Sequence, residues 1–405
     1  MKSIENLIQT YWEEIIEARK FLHQHPEDRY VEFETQRCII NFLEKNGIKY
    51  ETNIYETAII AYINGEYSGK TIAFRADMDA LPLKEDTECE FKSLNNGYMH
   101  ACGHDAHTAI LLGSCKVLYD MRDELDVNAV ILNKMKNKIN GNIKIIFQPA
   151  EEQGIEGGAK GLIKAGVLNN VDSIFAAHVW PDLPVGQIAI GNNEMMASCD
   201  LIKIKIKGKS GHIRLPHQCI NPVYVASQFL NTVAGIRMHY IDPFENLVWN
   251  FGIFKPDTFM GNAIPSEIFL SGSARTYNNE LRTYIKQKCK NILEGFKLIY
   301  DIDYEYNYHW GYAPVINDYE TSIFFRACAA EVLGEKNVIV PSKAVMTSED
   351  FGEYLKEIKG SFAWLGAGED EKVKYPLHNS KFLVPEKTIE NGIKIFTNLA
   401  LKYLG

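Results

Sequence analysis

The chain has 405 residues and a formal net charge of −9, and 46% of its residues are hydrophobic and 23% charged. The hydrophobic content excludes intrinsic disorder, and the negative charge argues against general nucleic-acid binding, which requires a basic face. No apolar run approaches the roughly 20 residues needed to span a bilayer, so we expect no membrane partner.

The N-terminal segment and the cysteines indicate a reducing compartment. The first 20 residues are amphipathic and acidic, and they lack the apolar core and cleavage site of a signal peptide. The eight cysteines form no Cys-x-x-Cys pair and no dense framework, so we expect no disulfide scaffold. The protein is therefore predicted to be cytoplasmic.

Hydrophobic periodicity predicts helices that alternate with short strands over the first 190 residues. One predicted helix ends near residue 20. Three further helices are predicted at residues 34–45, 106–119 and 159–165. The predicted strands span residues 58–63, 71–75, 143–147, 173–179 and 187–190. This alternation indicates an α/β sheet, in which functional residues collect beyond the carboxyl ends of the strands.

The segment that follows has a different pattern. Leu201–Lys209 alternates apolar with basic residues, which is typical of a strand with one solvent-exposed face. A helix, two strands, a helix and a strand are predicted next, at residues 222–238, 247–254, 268–275, 280–298 and 303–309. This β-α-β-β-α-β order is typical of a ferredoxin-like α+β domain.

The α/β pattern then resumes with a predicted helix at 321–333 and strands at 338–340 and 361–365. We therefore predict a discontinuous α/β domain formed by residues 1–196 and 310–405. Residues 197–309 are predicted to form the inserted ferredoxin-like α+β domain. Residues 120–141 are interpreted as a helix end followed by a polar loop.

Four short segments concentrate the residue types that bind metal ions. They are Met99–His107 (MHACGHDAH), Phe147–Glu152 (FQPAEE), Ala176–Pro181 (AAHVWP) and Leu377–Ser380 (LHNS). Thiolate, imidazole and carboxylate groups together suit a borderline divalent cation such as zinc. Of two adjacent glutamates, one can bind metal while the other acts as general base and later as general acid.

Each candidate also has an ordinary structural interpretation. Cys102 alone would more often be an inert buried thiol than a ligand, and His178 alone could be a core histidine. We interpret His100 and His107 as structural residues or as partners of the ligands, not as ligands. The combination of the four segments, and not any one residue, favours a metal centre.

An ordered set of motifs runs nearly from end to end of the chain. They are Arg19 with HQHPE, RADMDALPL, HACGHDAHTAILLG, FQPAEE with GGAKGLI, HVWPDLPVGQI, SGHIRLPH, NAIP with SGSART, TSEDF and HNSKF. This set resembles the amidohydrolase branch of the aminoacylase/glutamate-carboxypeptidase metallopeptidase family. Members of that branch include hippurate hydrolases, N-acetyl-amino-acid deacetylases and plant auxin-conjugate hydrolases.

The resemblance implies that the α/β domain is catalytic and binds two divalent metal ions. Zinc is favoured, with manganese, cobalt and nickel as alternatives. The implied metal ligands are Cys102, His104, Glu152, His178 and His378. Glu151 matches the catalytic glutamate of the family. Asp79 matches an aspartate that orients a ligand histidine, but here Asp77 stands at the position of that histidine.

The resemblance also implies that the inserted domain is a lid that contributes to the active site. His212 matches a histidine that polarises the scissile carbonyl, and Asn262 and Arg275 match positions that hold the substrate carboxylate. The motif GHIRLPH departs from the family pattern, which has a small residue after the histidine. This departure affects the expected substrate preference more than the expected chemistry.

The implied activity is hydrolysis of the amide bond of small N-acyl amino acids, such as N-acetyl or N-benzoyl compounds, to a carboxylic acid and an amino acid. A dipeptidase, aminopeptidase or carboxypeptidase of the same family is an alternative. A non-catalytic metal-binding protein on the same scaffold is another, although Glu151 argues against it. Serine hydrolysis is not expected, because the chain has no Gly-x-Ser-x-Gly motif. A homodimer through the inserted domain is compatible with the resemblance.

Overall fold

A computed structural model describes residues 3–65, 67–124, 140–368 and 375–405. The chain divides into two compact units. Unit 1 consists of Met1–Met195, Ile316–Ala344 and Asp350–Gly405, and unit 2 consists of Met196–Val315 and Val345–Glu349. Most of the segment predicted as a polar loop, residues 125–139, lies outside the described residues.

The helices and strands follow the predicted alternation. The helices are α1 (Ile4–Gln24), α2 (Phe33–Lys45), α3 (His104–Glu124), α4 (Gly158–Lys164), α5 (Pro222–Tyr240), α6 (Asn279–Tyr300), α7 (Tyr319–Leu333), α8 (Gly352–Leu355) and α9 (Glu386–Leu404). The strands are β1 (Lys49–Glu51), β2 (Ile59–Asn64), β3 (Tyr67–Asp77), β4 (Asn140–Gln148), β5 (Ser173–Pro184), β6 (Ile188–Ala189), β7 (Glu194–Met196), β8 (Asp200–Lys207), β9 (Gly211–His212), β10 (Leu247–Pro256), β11 (Ala263–Ile264), β12 (Glu267–Thr276), β13 (Asp303–His309), β14 (Val315–Ile316), β15 (Val338–Ile339) and β16 (Gly360–Gly368).

Unit 1 is built on an eight-stranded sheet with the order β1-β2-β4-β3-β5-β16-β6-β15. The four central strands β4, β3, β5 and β16 are mutually parallel, whereas β1, β2 and β6 each pair antiparallel with a neighbour. The predicted mixed α/β architecture with a central sheet is confirmed. Parallel central strands place their carboxyl ends at one edge of the sheet, where loops can assemble a site.

The sheet is buried beneath amphipathic helices. The apolar residues Leu7, Ile8, Ile15 and Leu22 of α1 lie at helical spacing and are buried. The helix ends just before the His25-Pro26 pair, because the residue before a proline disfavours the helical conformation.

Several elements differ from the sequence-based expectation, and three of them bear on the site or the core of unit 1. Helix α3 begins at His104 rather than near residue 106, and β5 continues to Pro184. The sequence analysis missed α9, although its buried residues Ile389, Ile393 and Phe396 have helical spacing. This helix packs on α3 and α7 and completes the core of unit 1.

The ends of the central strands carry the residues that the motifs singled out. Strand β3 ends at Asp77 and pairs there with Gln148, the last residue of β4. In β5, His178 pairs with Trp364 of β16. The loops after β3 and β4 therefore begin side by side at the carboxyl edge, next to the strand that holds His178.

Unit 2 has its own sheet and core. Its four antiparallel strands have the order β10-β12-β8-β13. Ile202, Ile204 and Ile206 of β8 are buried against apolar residues of α5 and α6, whereas the intervening lysines are partly or fully exposed. The alternation predicted for this strand therefore separates a core face from a solvent face.

Among the described residues, no helix combines the length and the apolar character required to cross a bilayer.

The contact between β3 and α9 gives a test of the core. Phe74 is fully buried, and its ring meets Phe396 edge to face with centroids 5.0 Å apart. We expect Phe74→Ala to lower the free energy of unfolding by about 3–5 kcal/mol, because it leaves a cavity in a close-packed core. Phe33→Ala, at a side chain that is 61% exposed, should change it by less than about 0.5 kcal/mol. Urea unfolding measures both, and equal midpoints would contradict this account.

Candidate metal centre

The turn before α3 brings Cys102 and His104 to the carboxyl edge of the sheet. Gly103 between them has a φ of +86°, and a Cβ atom there would lie 2.5 Å from Val179 Cγ2. Glycine is therefore required both by the backbone conformation and by the space available. Cys102 and His104 are buried, so the turn holds a thiol and an imidazole on the inside of the protein.

The five predicted ligand side chains converge in unit 1. Cys102 Sγ lies 3.2 Å from His178 Nε2 and 3.3 Å from His378 Nε2. His378 Nε2 lies 3.1 Å from Glu152 Oε1. Two overlapping groups of ligand atoms, each within 4.8 Å of one another, are Cys102/His104/His178 and Cys102/Glu152/His378. Residues from four distant segments thus form one cluster of sulfur, nitrogen and oxygen donors.

The electrostatics of the cluster fit a divalent cation. His104 Nε2 is buried and has no hydrogen-bond partner among the described residues. Burial by itself lowers the pKa of His104, but the negative charges of Asp77 and Asp79 outweigh it and raise the pKa to about 10. The site therefore attracts positive charge, and a cation that displaces the proton of His104 would make Nε2 a ligand atom.

Cys102 requires the same positive charge. Burial, with the neighbouring carboxylates Glu152 and Glu151, raises the pKa of its thiol well above the usual value. A buried thiol beside carboxylates ionises only if a cation lies next to the sulfur. The donor set and its charge therefore fit a metal centre of the zinc type.

His178 is oriented to present one nitrogen to this cluster. Its Nδ1 lies 2.7 Å from the carbonyl oxygen of Val179, so Nδ1–H donates and Nε2 faces Cys102. Burial lowers the pKa of His178 to about 3. The imidazole is therefore neutral, which is the form that binds a metal.

Asp79 ties the two glutamates to a ligand histidine. Its carboxylate accepts hydrogen bonds from the backbone amides of Glu151 and Glu152 at 3.1 and 2.9 Å, and it lies 3.2 Å from His104 Nδ1. The Glu151–Gln153 turn follows Ala150, which has a left-handed φ of 56°. Asp79 thus orients His104 and stabilises a strained turn that holds Glu151 and Glu152 beside it.

His107 is held by hydrogen bonds at both ring nitrogens. Its Nδ1 lies 2.6 Å from Asp77 Oδ1, and its Nε2 accepts a hydrogen bond of 2.9 Å from the backbone amide of Val179. Ligand atoms of Asp77, His104 and His107 lie within 4.8 Å of one another, but both ring nitrogens of His107 already form hydrogen bonds. This arrangement favours the interpretation of His107 as a support of the strand that carries His178.

Buried charges next to the cluster hold Asp77 in place. Of these, Asp350 lies in the TSEDF motif that the sequence singled out, whereas Arg75 was not assigned this role. Arg75 donates to Asp77 and to Asp350, each at 2.7 Å. Gln148 Nε2 and the backbone amide of Ala159 also donate to Asp350. The signal available in the sequence was Arg75 two residues before Asp77, which places both side chains on one face of β3. The pairing of Arg75 with Asp350 carried no local signal.

His378 reaches the cluster from the C-terminal part of the chain. Its backbone amide donates to the carbonyl of Ala101 at 2.9 Å, and its φ of 63° is left-handed. A non-glycine residue in this conformation is uncommon and must be held by its surroundings. The strained backbone directs the partly exposed imidazole toward Cys102 and Glu152.

His100 does not join these contacts. Its imidazole is buried, neither ring nitrogen has a hydrogen-bond partner among the described residues, and burial lowers its pKa to about 3. The side chain is thus neutral.

The remaining predicted site residues lie in unit 2. His212 of β9 is exposed and pairs with Ala263 of β11, and the carbonyl of Asn262 accepts a hydrogen bond from Ile213. Unit 2 therefore brings His212 and Asn262 together at one small ribbon. Arg275 of β12 instead donates to the carbonyl of Met346 at 3.0 Å.

The chain is similar to known proteins over most of its length. Residues 73–402 match the profile of peptidase family M20/M25/M40. The chain is 34% identical to thermostable carboxypeptidase 1 of Saccharolobus solfataricus, over 100% of this chain and 98% of that protein. It is 36% identical to an N-acyl-L-amino acid amidohydrolase of Geobacillus stearothermophilus, over 78% and 81% of the two chains. A solved dinuclear metal-binding peptidase of the M20 family from Bacillus subtilis superposes with a TM-score of 0.81 at 32% identity, covering 98% and 99%.

The turn at Gly103 gives a test of the cluster geometry. We expect Gly103→Ala to weaken zinc binding and to lower the thermal unfolding midpoint, because the added methyl group collides with Val179 next to two ligands. Gly97 also has a left-handed φ, +94°, but a Cβ atom there would meet nothing within 4 Å. Gly97→Ala should therefore cost only the backbone strain, about 1–2 kcal/mol, and leave zinc affinity unchanged. A competition titration measures the affinity, and equal effects of the two substitutions would refute the steric argument.

Proposed function

Because the chain belongs to peptidase family M20/M25/M40, we propose that it is a metal-dependent amidohydrolase of N-acyl amino acids. It hydrolyses the amide bond to release a carboxylic acid and an amino acid. The observation that carries this proposal is the convergence of the five donor side chains beside Glu151. A purely binding site needs no additional glutamate, whereas a hydrolytic site needs a general base.

The relatives support hydrolysis of a C–N bond and differ in the substrate. The amidohydrolase relative supports N-acyl amino acids, and the carboxypeptidase relative favours peptides as a second candidate substrate class. Both reactions break an amide bond next to an amino acid. We place N-acyl amino acids first, since the motifs resemble the amidohydrolase branch.

We propose that Cys102, His104, Glu152, His178 and His378 hold two divalent metal ions, with zinc favoured over manganese, cobalt and nickel. When bound, such ions polarise a carbonyl and lower the pKa of a coordinated water. The dinuclear relative from Bacillus subtilis supports the number of metals. The thiol and imidazole donors support zinc.

Glu151 is the proposed general base and acid. Its buried carboxylate lies with His104 and Glu152 in a group of ligand atoms within 4.8 Å of one another. In the reaction Glu151 takes a proton from the attacking water as the new C–O bond forms. It then gives that proton to the leaving amine nitrogen as the C–N bond breaks. Asp79 acts on this step only by positioning, through the backbone amides of Glu151 and Glu152.

The assignments in unit 2 are part of the proposal. The strand order β10-β12-β8-β13, with two helices in the same core, supports a ferredoxin-like lid domain. We propose that His212 polarises the scissile carbonyl and that Asn262 and Arg275 bind the substrate carboxylate. The domain bounds of 1–196 with 310–405 and of 197–309, the cytoplasmic location and a homodimer through unit 2 stay predictions.

The assigned base is tested by Glu151→Gln. This substitution keeps the size of the side chain and removes its ability to accept a proton, so kcat should fall by about 10²–10⁴-fold while two metal ions stay bound. Glu156→Gln, at an exposed glutamate of the same segment, should retain normal kcat. Steady-state kinetics and metal analysis of both variants measure these effects. Near-wild-type turnover by Glu151→Gln would rule out the assigned role.

The substrate class is tested by a panel of N-acetyl and N-benzoyl amino acids against dipeptides. We expect larger kcat/KM values for the N-acyl amino acids.

Chelation should abolish the activity, and zinc, manganese, cobalt or nickel should restore it. Preference for dipeptides would support the peptidase alternative, and turnover by the chelated, metal-free protein would sink the metal mechanism.

A further inference from the structure

A second cluster of metal-ligand side chains lies at the end of α1, apart from the proposed catalytic residues. His23, in the last turn of α1, meets Glu85 and Cys89 of the loop between Leu81 and Met99. One ligand atom of each of these three residues lies within 4.8 Å of the other two. His23 and Glu85 are buried and Cys89 is half-buried. The function proposed above assigns no role to these three side chains.

Two of the three distances between the ligand atoms match tetrahedral zinc, and the third, between His23 and Cys89, is within 4.8 Å. With zinc bonds of about 2.0–2.2 Å to nitrogen and oxygen and about 2.3 Å to sulfur, a nitrogen and an oxygen ligand lie about 3.4 Å apart and a sulfur and an oxygen ligand about 3.6 Å apart. Here His23 Nε2 lies 3.3 Å from Glu85 Oε1, and Cys89 Sγ lies 3.6 Å from the same oxygen. The cluster can therefore accept zinc with little rearrangement.

The surrounding hydrogen bonds orient each ligand. His23 Nδ1 lies 2.8 Å from Asp105 Oδ2, an arrangement that directs Nε2 of a metal-binding histidine toward its metal. The backbone amide of Ser93 donates to Glu85 Oε2 at 2.6 Å, so Glu85 Oε1 faces His23 and Cys89. Arg19 pairs with Asp105 at 3.0 Å and balances its charge. The negative charge available for a cation therefore comes from Glu85 and from an ionised Cys89.

The charge balance also favours a divalent ion. A carboxylate only accepts hydrogen bonds, so His23 donates from Nδ1 to Asp105 and from Nε2 to Glu85. Glu85 Oε1 also accepts from the Thr87 hydroxyl and, at 3.6 Å, from the Cys89 thiol. Two protons thus lie between the three ligand atoms. A divalent cation that displaces both protons leaves the net charge of the cluster unchanged.

We infer that His23, Glu85 and Cys89 form an additional site for a divalent cation of the zinc type, separate from the catalytic centre. The three side chains supply nitrogen, oxygen and sulfur, and the half-buried thiol leaves a fourth position open to water. A metal ion here links the loop between Leu81 and Met99 to the end of α1. That loop leads directly into the turn that carries Cys102, so the site lies one loop away from the proposed catalytic metals.

Residue-resolved alkylation of the full-length protein tests this inference. The reduced protein is treated with iodoacetamide in zinc and in chelator, and the labelling rate of each cysteine is read by peptide mass spectrometry. Zinc should slow the labelling of Cys89 by about tenfold or more, because a coordinated thiolate is a poor nucleophile. Cys38, which is also half-buried, is the internal control and should react at the same rate in both conditions. Metal analysis should find one zinc ion fewer per chain in Cys89→Ser than in the matched variant Cys38→Ser.

The outcomes separate this site from the catalytic one. Cys89→Ser should keep the wild-type kcat, since Cys89 touches none of the proposed catalytic residues. Protection of Cys102 without protection of Cys89 would overturn this inference and leave the proposed function intact. Equal zinc protection of Cys38 and Cys89, or equal zinc content of the two serine variants, would also overturn it. Activity that chelation abolishes and zinc restores, without any zinc protection of Cys89, would overturn this inference alone.

Discussion

The concentration of buried negative charge at the carboxyl edge of the unit 1 sheet is the constraint on which the rest of the site depends. Asp77, Asp79 and Glu151 are buried beside His104, and Glu152 is largely buried. Carboxylates removed from water are costly unless positive charge or hydrogen bonds compensate them. The Arg75 guanidinium compensates the negative charge of Asp77. His104 Nε2 has no hydrogen-bond partner among the described residues, so a cation can compensate the remaining negative charge beside it.

This constraint explains why so many supporting residues surround a few ligands. Asp79 connects the Glu151–Gln153 turn to His104, and Asp77 connects Arg75 to His107. Each carboxylate accepts hydrogen bonds from at least two partners. Substitution of either carboxylate would therefore displace several of the proposed ligands together. The proposed ligands are therefore oriented before any metal binds, which would reduce the entropy lost on binding.

The cluster at His23 follows the same physical logic in a simpler form. It combines one imidazole, one carboxylate and one thiol, and Asp105 orients the imidazole as Asp79 orients His104. Asp105 and His104 are adjacent at the start of α3. The two metal-ligand clusters therefore share one helix N-terminus, where the aligned backbone amides favour carboxylates.

The sequence by itself determined the elements and the chemistry of the motifs. The alternation of helices and strands, the glycine between Cys102 and His104, and the paired glutamates after β4 are local patterns, because backbone geometry sets their period and their turns. Only the tertiary structure decided which distant side chains meet. The approach of His378 to Cys102, the Arg75–Asp350 pair and the contact of His23 with Cys89 depend on how the strands and loops close around the core, and no local pattern encodes such contacts. The sequence therefore supplied the candidate donor residues of the proposed catalytic centre, and the fold places their side chains close together in overlapping groups, within each of which the ligand atoms lie within 4.8 Å of one another.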